Sequence, residues 1–214
     1  TIYTYDPVTV YDKDDALQRF GKLKVEATSF TISEPFEALE VSAMLYDLAS
    51  AEQKKILQDD FDVNPFNIQT ITLERIFIDK LFAAEAYVRS SSLEHRAFEA
   101  AKHIYDLAVM ENHSKIAQLL SDAAQMESLL KIRMEEELER LDGIPGVAPD
   151  EFVFFTQTGN NSDVRKAYEI MQNQYVLRPV DRIDFDTTTS ILANIHKKLL
   201  DNPSWLLCRP DTTH

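Results

Sequence analysis

Three charged side chains interrupt segments that are otherwise patterned for burial, and they are the residues best placed to do chemistry. Lys80 lies in the middle of the apolar stripe of a predicted helix. Asp106 lies within the apolar run Ile104–Met110 on the next predicted helix. Glu26 lies on the polar face of a strand whose residues alternate between charged and apolar. A cation and two carboxylates of this kind, if they meet in a cleft, can bind a small charged ligand.

Each of the three also has a structural explanation. Lys80 can extend its four-carbon stem to water or pair with a carboxylate. A buried Asp106 needs a cation, a metal ion or strong hydrogen-bond donors, and both Lys102, one turn earlier, and Lys80 are candidate partners. A Lys80–Asp106 pair can serve only to fix the register of two helices. Glu26 can face water, but if helices cover its face the carboxylate needs a metal ion, a proton or a cation.

The other reactive residue types form no recognisable motif. The five histidines lack metal-ligand spacing, and we interpret His103 as a residue that packs or supports a neighbour. Cys208 is the only cysteine and has no histidine within a recognisable nucleophile motif, so we expect an inert thiol. The chain has only four glycines, and none lies in a glycine-rich loop that could cradle phosphates.

Composition narrows the class of protein that positions these residues. The 214 residues are 44% hydrophobic and 27% charged, which is typical of one large or two small globular domains. The net charge of -14 disfavours a general nucleic-acid coat protein, so a polyanionic partner would need a local basic pocket. No apolar run approaches the ~20 residues that span a bilayer. The single cysteine and the lack of an apolar leader favour a cytoplasmic protein without membrane contact.

The hydrophobic pattern predicts an α+β fold. Strands are expected within residues 1–31 and at 66–71, residues 36–44 suit a strand or a helix, and residues 51–58 favour a helix. From Thr72 onward the pattern is helical, with helices at 72–88, 93–111, 113–141, 162–175 and 187–200. We therefore predict a strand-rich region, 1–71, and a helical region, 72–214. No linker rich in Pro, Ser or Gly separates them, so they are expected to share one core.

Two finer expectations concern the later helices. The long third helix, 113–141, is expected to present an acidic surface through Glu135, Glu136, Glu137 and Glu139. The pair Ser162–Asp163 suits the N-cap of the fourth helix, and Asp186 precedes the fifth.

Three stretches taken together resemble the AbiEii/AbiGii nucleotidyltransferase family, the toxins of abortive-infection and type IV toxin–antitoxin systems. They are KVE at 24–26, ITLERIFIDKLFAA at 71–84 and KHIYDL at 102–107. The family has a strand carboxylate, a helix with a lysine and a helix with Tyr-Asp in this order. The tyrosine-containing helix around 167–171 is compatible with the same pattern, and the resemblance extends from about residue 20 to 200.

The resemblance implies a role for each matched residue. Glu26 would be the third acidic residue of a catalytic centre that binds Mg²⁺. Lys80 would contact nucleotide phosphates, with Lys24 and Lys102 as further nucleotide-binding residues, and Asp106 would orient Lys80 or the substrate. The reaction would transfer a nucleotide from a nucleoside triphosphate to RNA, such as a tRNA end, or to a protein. An antitoxin protein would be a further partner.

The chain departs from the family pattern before Glu26. The family begins with a turn containing glycine and serine, followed by a strand with Asp-x-Asp, and no such motif precedes Glu26. Residues 184–186 match the Asp-x-Asp pattern but follow the other motifs, so we reject them as the catalytic motif. Lys102 and Asp79 replace the usual Arg and Glu. We therefore expect the helical region to pack on a nucleotidyltransferase remnant that lacks its N-terminal catalytic segment, making this chain inactive alone.

Two classes of function follow from the sequence. The first is a nucleotidyltransferase of the toxin type. The second is a helical interaction module or a degenerate enzyme, which would bind a partner through its acidic third helix or exposed sheet edges and in which Lys80 and Asp106 would be structural.

Overall fold

The strands form two small antiparallel pairs. The computed structural model describes residues 2–4, 22–24, 34–140, 146–176 and 178–209. Strand β1 (Ile2–Thr4) pairs with β2 (Lys22–Lys24). Strand β3 (Phe36–Val41) pairs with β4 (Phe66–Ile71), with Phe36 opposite Ile71. The sequence prediction for β4 is confirmed at both ends, and the ambiguous segment 36–44 begins as a strand.

Most of the described residues are helical. The α-helices are α1 (Met44–Leu48), α2 (Ala51–Phe61), α3 (Leu73–Val88), α4 (Leu93–Met110), α5 (Ser114–Ser121), α6 (Ala123–Arg140), α7 (Phe154–Gln157), α8 (Ser162–Tyr175), α9 (Phe185–Leu200) and α10 (Pro203–Leu207). The α+β prediction is confirmed at this level. The nucleotidyltransferase remnant and the division near residue 71 remain predictions. No helix in the described ranges is long and apolar enough to cross a membrane.

Polar caps fix where the helices that position the site begin. The Thr72 hydroxyl accepts a hydrogen bond from the backbone N–H of Arg75 and starts α3. Helix α8 is capped by Asn161, so the predicted Ser162–Asp163 cap is wrong by one residue. Helix α9 is capped by Asp184, two residues before the expected Asp186, because the Asp184 carboxylate accepts from the N–H of Thr187 at 2.8 Å.

The predicted single helix at 113–141 is wrong, because the chain turns at Asp122. That residue has an extended backbone (φ -96°, ψ 100°) between α5 and α6. Its carboxylate accepts a hydrogen bond from the N–H of Gln125 at 3.0 Å, as an N-cap residue does. An aspartate with a glutamine three residues later resembles the capping signal, and it could have revealed the break.

The acidic surface expected on the same segment is also partly wrong. The Glu136 and Glu137 side chains are buried on α6. Glu136 pairs with Arg75 of α3 and with Arg133, and Glu137 pairs with Arg133 and Arg140. Buried carboxylates are retained in proteins when cations and donors satisfy them, as here.

The hydrophobic core is built by the helices and sets the spacing between α3 and α4. Phe77 and Leu81 of α3 and Ile104 and Leu107 of α4 are fully buried in one cluster that also contains Trp205 of α10. This packing fixes the two helices side by side. Lys80 and Asp106 lie next to these buried positions, at the edge of the core.

Candidate functional site

Lys80 and Asp106 meet, as the sequence predicts. The Lys80 Nζ atom of α3 lies 2.6 Å from Oδ2 of Asp106 on α4, and the two side chains are 28% and 36% exposed. The pair is therefore half-buried and reachable from solvent. Although Asp106 lies in an apolar run, α4 is not buried all round: Val109 is half exposed and Asp106 reaches the surface.

A cavity of about 730 Å³ opens over this pair. Its polar lining consists of Lys80, Lys102, His103, Tyr105, Asp106, Arg178 and Asp181. Its apolar lining consists of Met44, Met171, Tyr175 and Val176. The cavity is therefore shared by the start of α1, by α3 and α4, by the end of α8 and by the segment that follows α8. Its volume and mixed lining are those of a small-molecule site.

Three of the lining side chains are cations and two are carboxylates, in a chain whose net charge is -14. The imidazole of His103, which also lines the cavity, is neutral at neutral pH. Burial, followed by the adjacent Lys80 cation, lowers the pKa of His103 to about 4. At neutral pH the lining side chains carry one more positive than negative charge, and the third cation, Lys102, pairs with Glu99.

Lys102, which the sequence made a candidate partner of Asp106, has a different partner. It pairs with Glu99 at 2.6 Å and not with Asp106. Its ammonium group also lies 5.6 Å from the ring centroid of Tyr175 and 5.9 Å from that of Phe98. These cation–π contacts hold the lysine at the cavity wall between α4 and α8.

His103 supports this wall, in agreement with its interpretation as a packing residue. Its ring stacks on Tyr87 of α3 at a centroid distance of 5.4 Å and an angle of 16°. Its Nδ1 atom is buried and has no hydrogen-bond partner among the described residues.

The chain shares a family with known toxins. The profile of the AbiEii nucleotidyl transferase toxins of type IV toxin–antitoxin systems matches residues 3–190, which is most of the chain. The chain belongs to the AbiEii family. No curated protein and no solved structure gives a significant match. The resemblance found in residues 24–26, 71–84 and 102–107 is therefore confirmed.

The structure describes the side chains of neither Glu26 nor Lys24, two of the site residues predicted for this AbiEii chain. Glu26 falls outside the described residues. Lys24 belongs to β2, and its side chain also falls outside what the structure describes. Their predicted places beside Lys80 and Asp106 therefore remain predictions.

The described part of the AbiEii chain has no group of three or more His, Cys, Asp or Glu residues that could hold a metal ion. The two carboxylates of the cavity are each paired with a cation, Asp106 with Lys80 and Asp181 with Arg178. The described residues thus fit an anionic ligand and do not fit a metal centre. The rejected motif at 184–186 is structural, because Asp184 caps α9 and Asp186 pairs with Arg165.

The expectation for the thiol of the AbiEii chain agrees with its surroundings. Burial raises the pKa of Cys208, so the thiol stays protonated and a poor nucleophile at neutral pH.

Sequence reasoning did not find the side of the cavity that comes from α8 and the following segment. Arg178 and Asp181 sit around a short 3₁₀ turn, Pro179–Asp181, and resemble an ordinary loop in the sequence. Their distance from α4 along the chain hides the contact in which the Tyr105 hydroxyl donates to the Asp181 carbonyl at 3.0 Å. Burial raises the pKa of Tyr105, so the phenol remains a donor.

Proposed function

We propose that this protein is a nucleotidyltransferase that binds a nucleoside triphosphate in the cavity over Lys80 and Asp106. The observation that carries the proposal is a cation-rich cavity in an otherwise strongly acidic chain. A nucleoside triphosphate consists of a compact polyanion joined through a ribose to a flat aromatic base. The cavity offers cations for the first part and an apolar wall, with Met171 and Tyr175, for the second. Membership of the AbiEii family supports the same reaction class.

In the proposed reaction, an acceptor hydroxyl attacks the α-phosphorus of the nucleotide. A new O–P bond forms, the hydroxyl proton is released to water, the bond between the α-phosphorus and the bridging oxygen breaks, and pyrophosphate leaves with the negative charge. Lys80 would bind the phosphates, because an ammonium group held at the wall of a cavity stabilises the charge that builds up in the transition state. Asp106 would orient Lys80 through their 2.6 Å contact. Lys102 would add a second cation.

Glu26 stays the proposed ligand of Mg²⁺, and Lys24 a proposed contact of the nucleotide. Mg²⁺ would neutralise phosphate charge when bound. The described residues contribute phosphate binding to this scheme and no metal coordination.

The proposed partners are an antitoxin protein and an acceptor, either a tRNA end or a protein. Exposed apolar side chains on β3 and β4, including Phe36 and Phe66 at 49% and 60% exposure, support a protein partner at this strand pair. The glutamates of α6, from which the sequence predicted an acidic binding surface, are less suited to that role, because Glu136 and Glu137 are buried. Co-purification of the chain with its cognate antitoxin tests the first partner, and failure to co-purify would remove it.

The reaction is tested with protein expressed from the full reading frame, incubated with each labelled nucleoside triphosphate, total tRNA and cell protein. We expect label transfer that requires Mg²⁺ and is abolished by Lys80→Ala. Lys115→Ala is the matched control, because Lys115 also pairs with a carboxylate of another element, Glu37 at 2.8 Å, but lies outside the cavity.

Transfer that survives Lys80→Ala would remove Lys80 from the site. Absence of transfer and of nucleotide binding in the unmodified protein would favour the second function, an interaction module in which the Lys80–Asp106 pair is structural. The identity of the labelled product, RNA or protein, decides the acceptor.

A further inference from the structure

The segment after α8 brings a third cation to the cavity. Arg178 lines it together with Lys80 and Lys102. Its guanidinium group is engaged by one carboxylate, with Nε 2.6 Å from Oδ2 of Asp181 and Nη2 2.8 Å from Oδ1. This is a two-pronged pair, and the same fork geometry fits two oxygens of a phosphate.

The Arg178–Asp181 pair does not hold the fold together. Its partners are three residues apart, so it links no two elements, and the Arg178 side chain is 76% exposed. An exposed ion pair of this kind contributes little to stability and can be exchanged for another anion at little cost.

The backbone of the segment is fixed by other contacts. The Asp181 carbonyl accepts from the Tyr105 hydroxyl at 3.0 Å, and the Arg182 guanidinium donates to Asn173 Oδ1 at 2.9 Å. The N–H of Asp181 also donates to the Arg178 carbonyl at 3.0 Å. The turn is thus anchored on α4 and α8, while the Arg178 side chain is free to change partner.

Resting on the proposed function, we propose that Arg178 is a phosphate-binding residue of the nucleotide site and that Asp181 restrains it until a triphosphate enters. The triphosphate replaces the Asp181 carboxylate as the partner of the guanidinium fork. The Asp181 side chain therefore competes with the ligand, and the two members of the pair have opposite effects on affinity.

The test measures binding of a non-hydrolysable nucleoside triphosphate, and of the matching nucleoside, to the full chain by calorimetry at fixed salt. Arg178→Gln is expected to weaken triphosphate binding about tenfold, the lower end for a lost charged hydrogen bond, and to leave nucleoside binding unchanged. Asp181→Asn is expected to strengthen triphosphate binding severalfold. It keeps the backbone carbonyl that Tyr105 contacts.

The matched control is the Arg165–Asp186 pair, which is also exposed and joined at 2.6 Å but does not line the cavity. Arg165→Gln and Asp186→Asn are expected to leave both affinities unchanged. Thermal melting of all four variants checks that each is folded.

Two results would overturn the inference, and they differ. Unchanged triphosphate affinity in Arg178→Gln, alongside loss of binding in Lys80→Ala, would show that Arg178 is idle while the proposed function stands. A wild-type chain that binds no triphosphate would overturn the proposed function and this inference together.

Discussion

Helix α3 carries two cations, Arg75 and Lys80, and each pairs with a carboxylate of another helix. Arg75 reaches Glu136 of α6, and the side chains are 1% and 2% exposed. Lys80 reaches Asp106 of α4, where the exposures are 28% and 36%. The two pairs lie five residues apart on one helix, and the second borders the cavity described above.

The surroundings of the two pairs explain the difference. Arg75 belongs to a closed network that includes Arg133 and Asp79, with a 3.0 Å contact from Arg75 Nε to Asp79. Burial raises the pKa of Asp79, although both arginines oppose that shift. Charges in such a network satisfy one another. The Lys80–Asp106 pair borders open space, so a ligand can exchange for one partner.

We expect the largest loss of stability when a substitution breaks the closed network. Arg75→Ala deprives Glu136 of its partner on α3, and loss of one member of a buried pair costs about 3–5 kcal/mol of the free energy of unfolding. Urea unfolding measures this quantity. Lys80→Ala, in the half-exposed pair, is expected to cost less than about 1 kcal/mol. Similar losses in the two variants would contradict the distinction between a structural pair and a ligand-binding one.

A smaller effect is expected on the pH dependence of stability, through His103 beside the Lys80–Asp106 pair. The folded pKa of His103 is about 4, below the ordinary value of 6.5, so the unfolded chain binds more protons between these values. Stability should therefore fall as pH drops from about 6.5 to 4, by on the order of 1–2 kcal/mol from His103 once solvent screening is allowed for. Urea unfolding across this range measures the slope.

His103→Gln should flatten that slope, since the amide does not titrate. His196 serves as the comparison, because burial lowers its pKa too but it stacks on Phe155, away from the cavity. A slope that His103→Gln leaves intact would mean that the histidine beside Lys80 is charged in the folded protein.

Much of the α3–α4 side of the site could be predicted from the sequence. Lys80 and Asp106 each interrupt an apolar pattern, and a charge at such a position needs a partner. Helix α8 and strand β4 were predicted at both ends, because their periodicity and flanking residues agree.

Contacts between polar residues that lie far apart in the sequence could not be predicted. Glu136 lies in a run of glutamates that resembles a solvated face, and its partner Arg75 is 61 residues away. Arg178 meets the cavity on a turn that the Tyr105 hydroxyl helps to anchor. Hydrophobic periodicity carries no information about such contacts between distant polar residues.

The most direct test of the central claim is a crystal structure of the chain with a non-hydrolysable nucleoside triphosphate. We predict the phosphates in the cavity, with a phosphate oxygen within hydrogen-bond distance of Lys80 Nζ. A nucleotide bound elsewhere, with the Lys80–Asp106 contact unchanged and the cavity empty, would contradict the account.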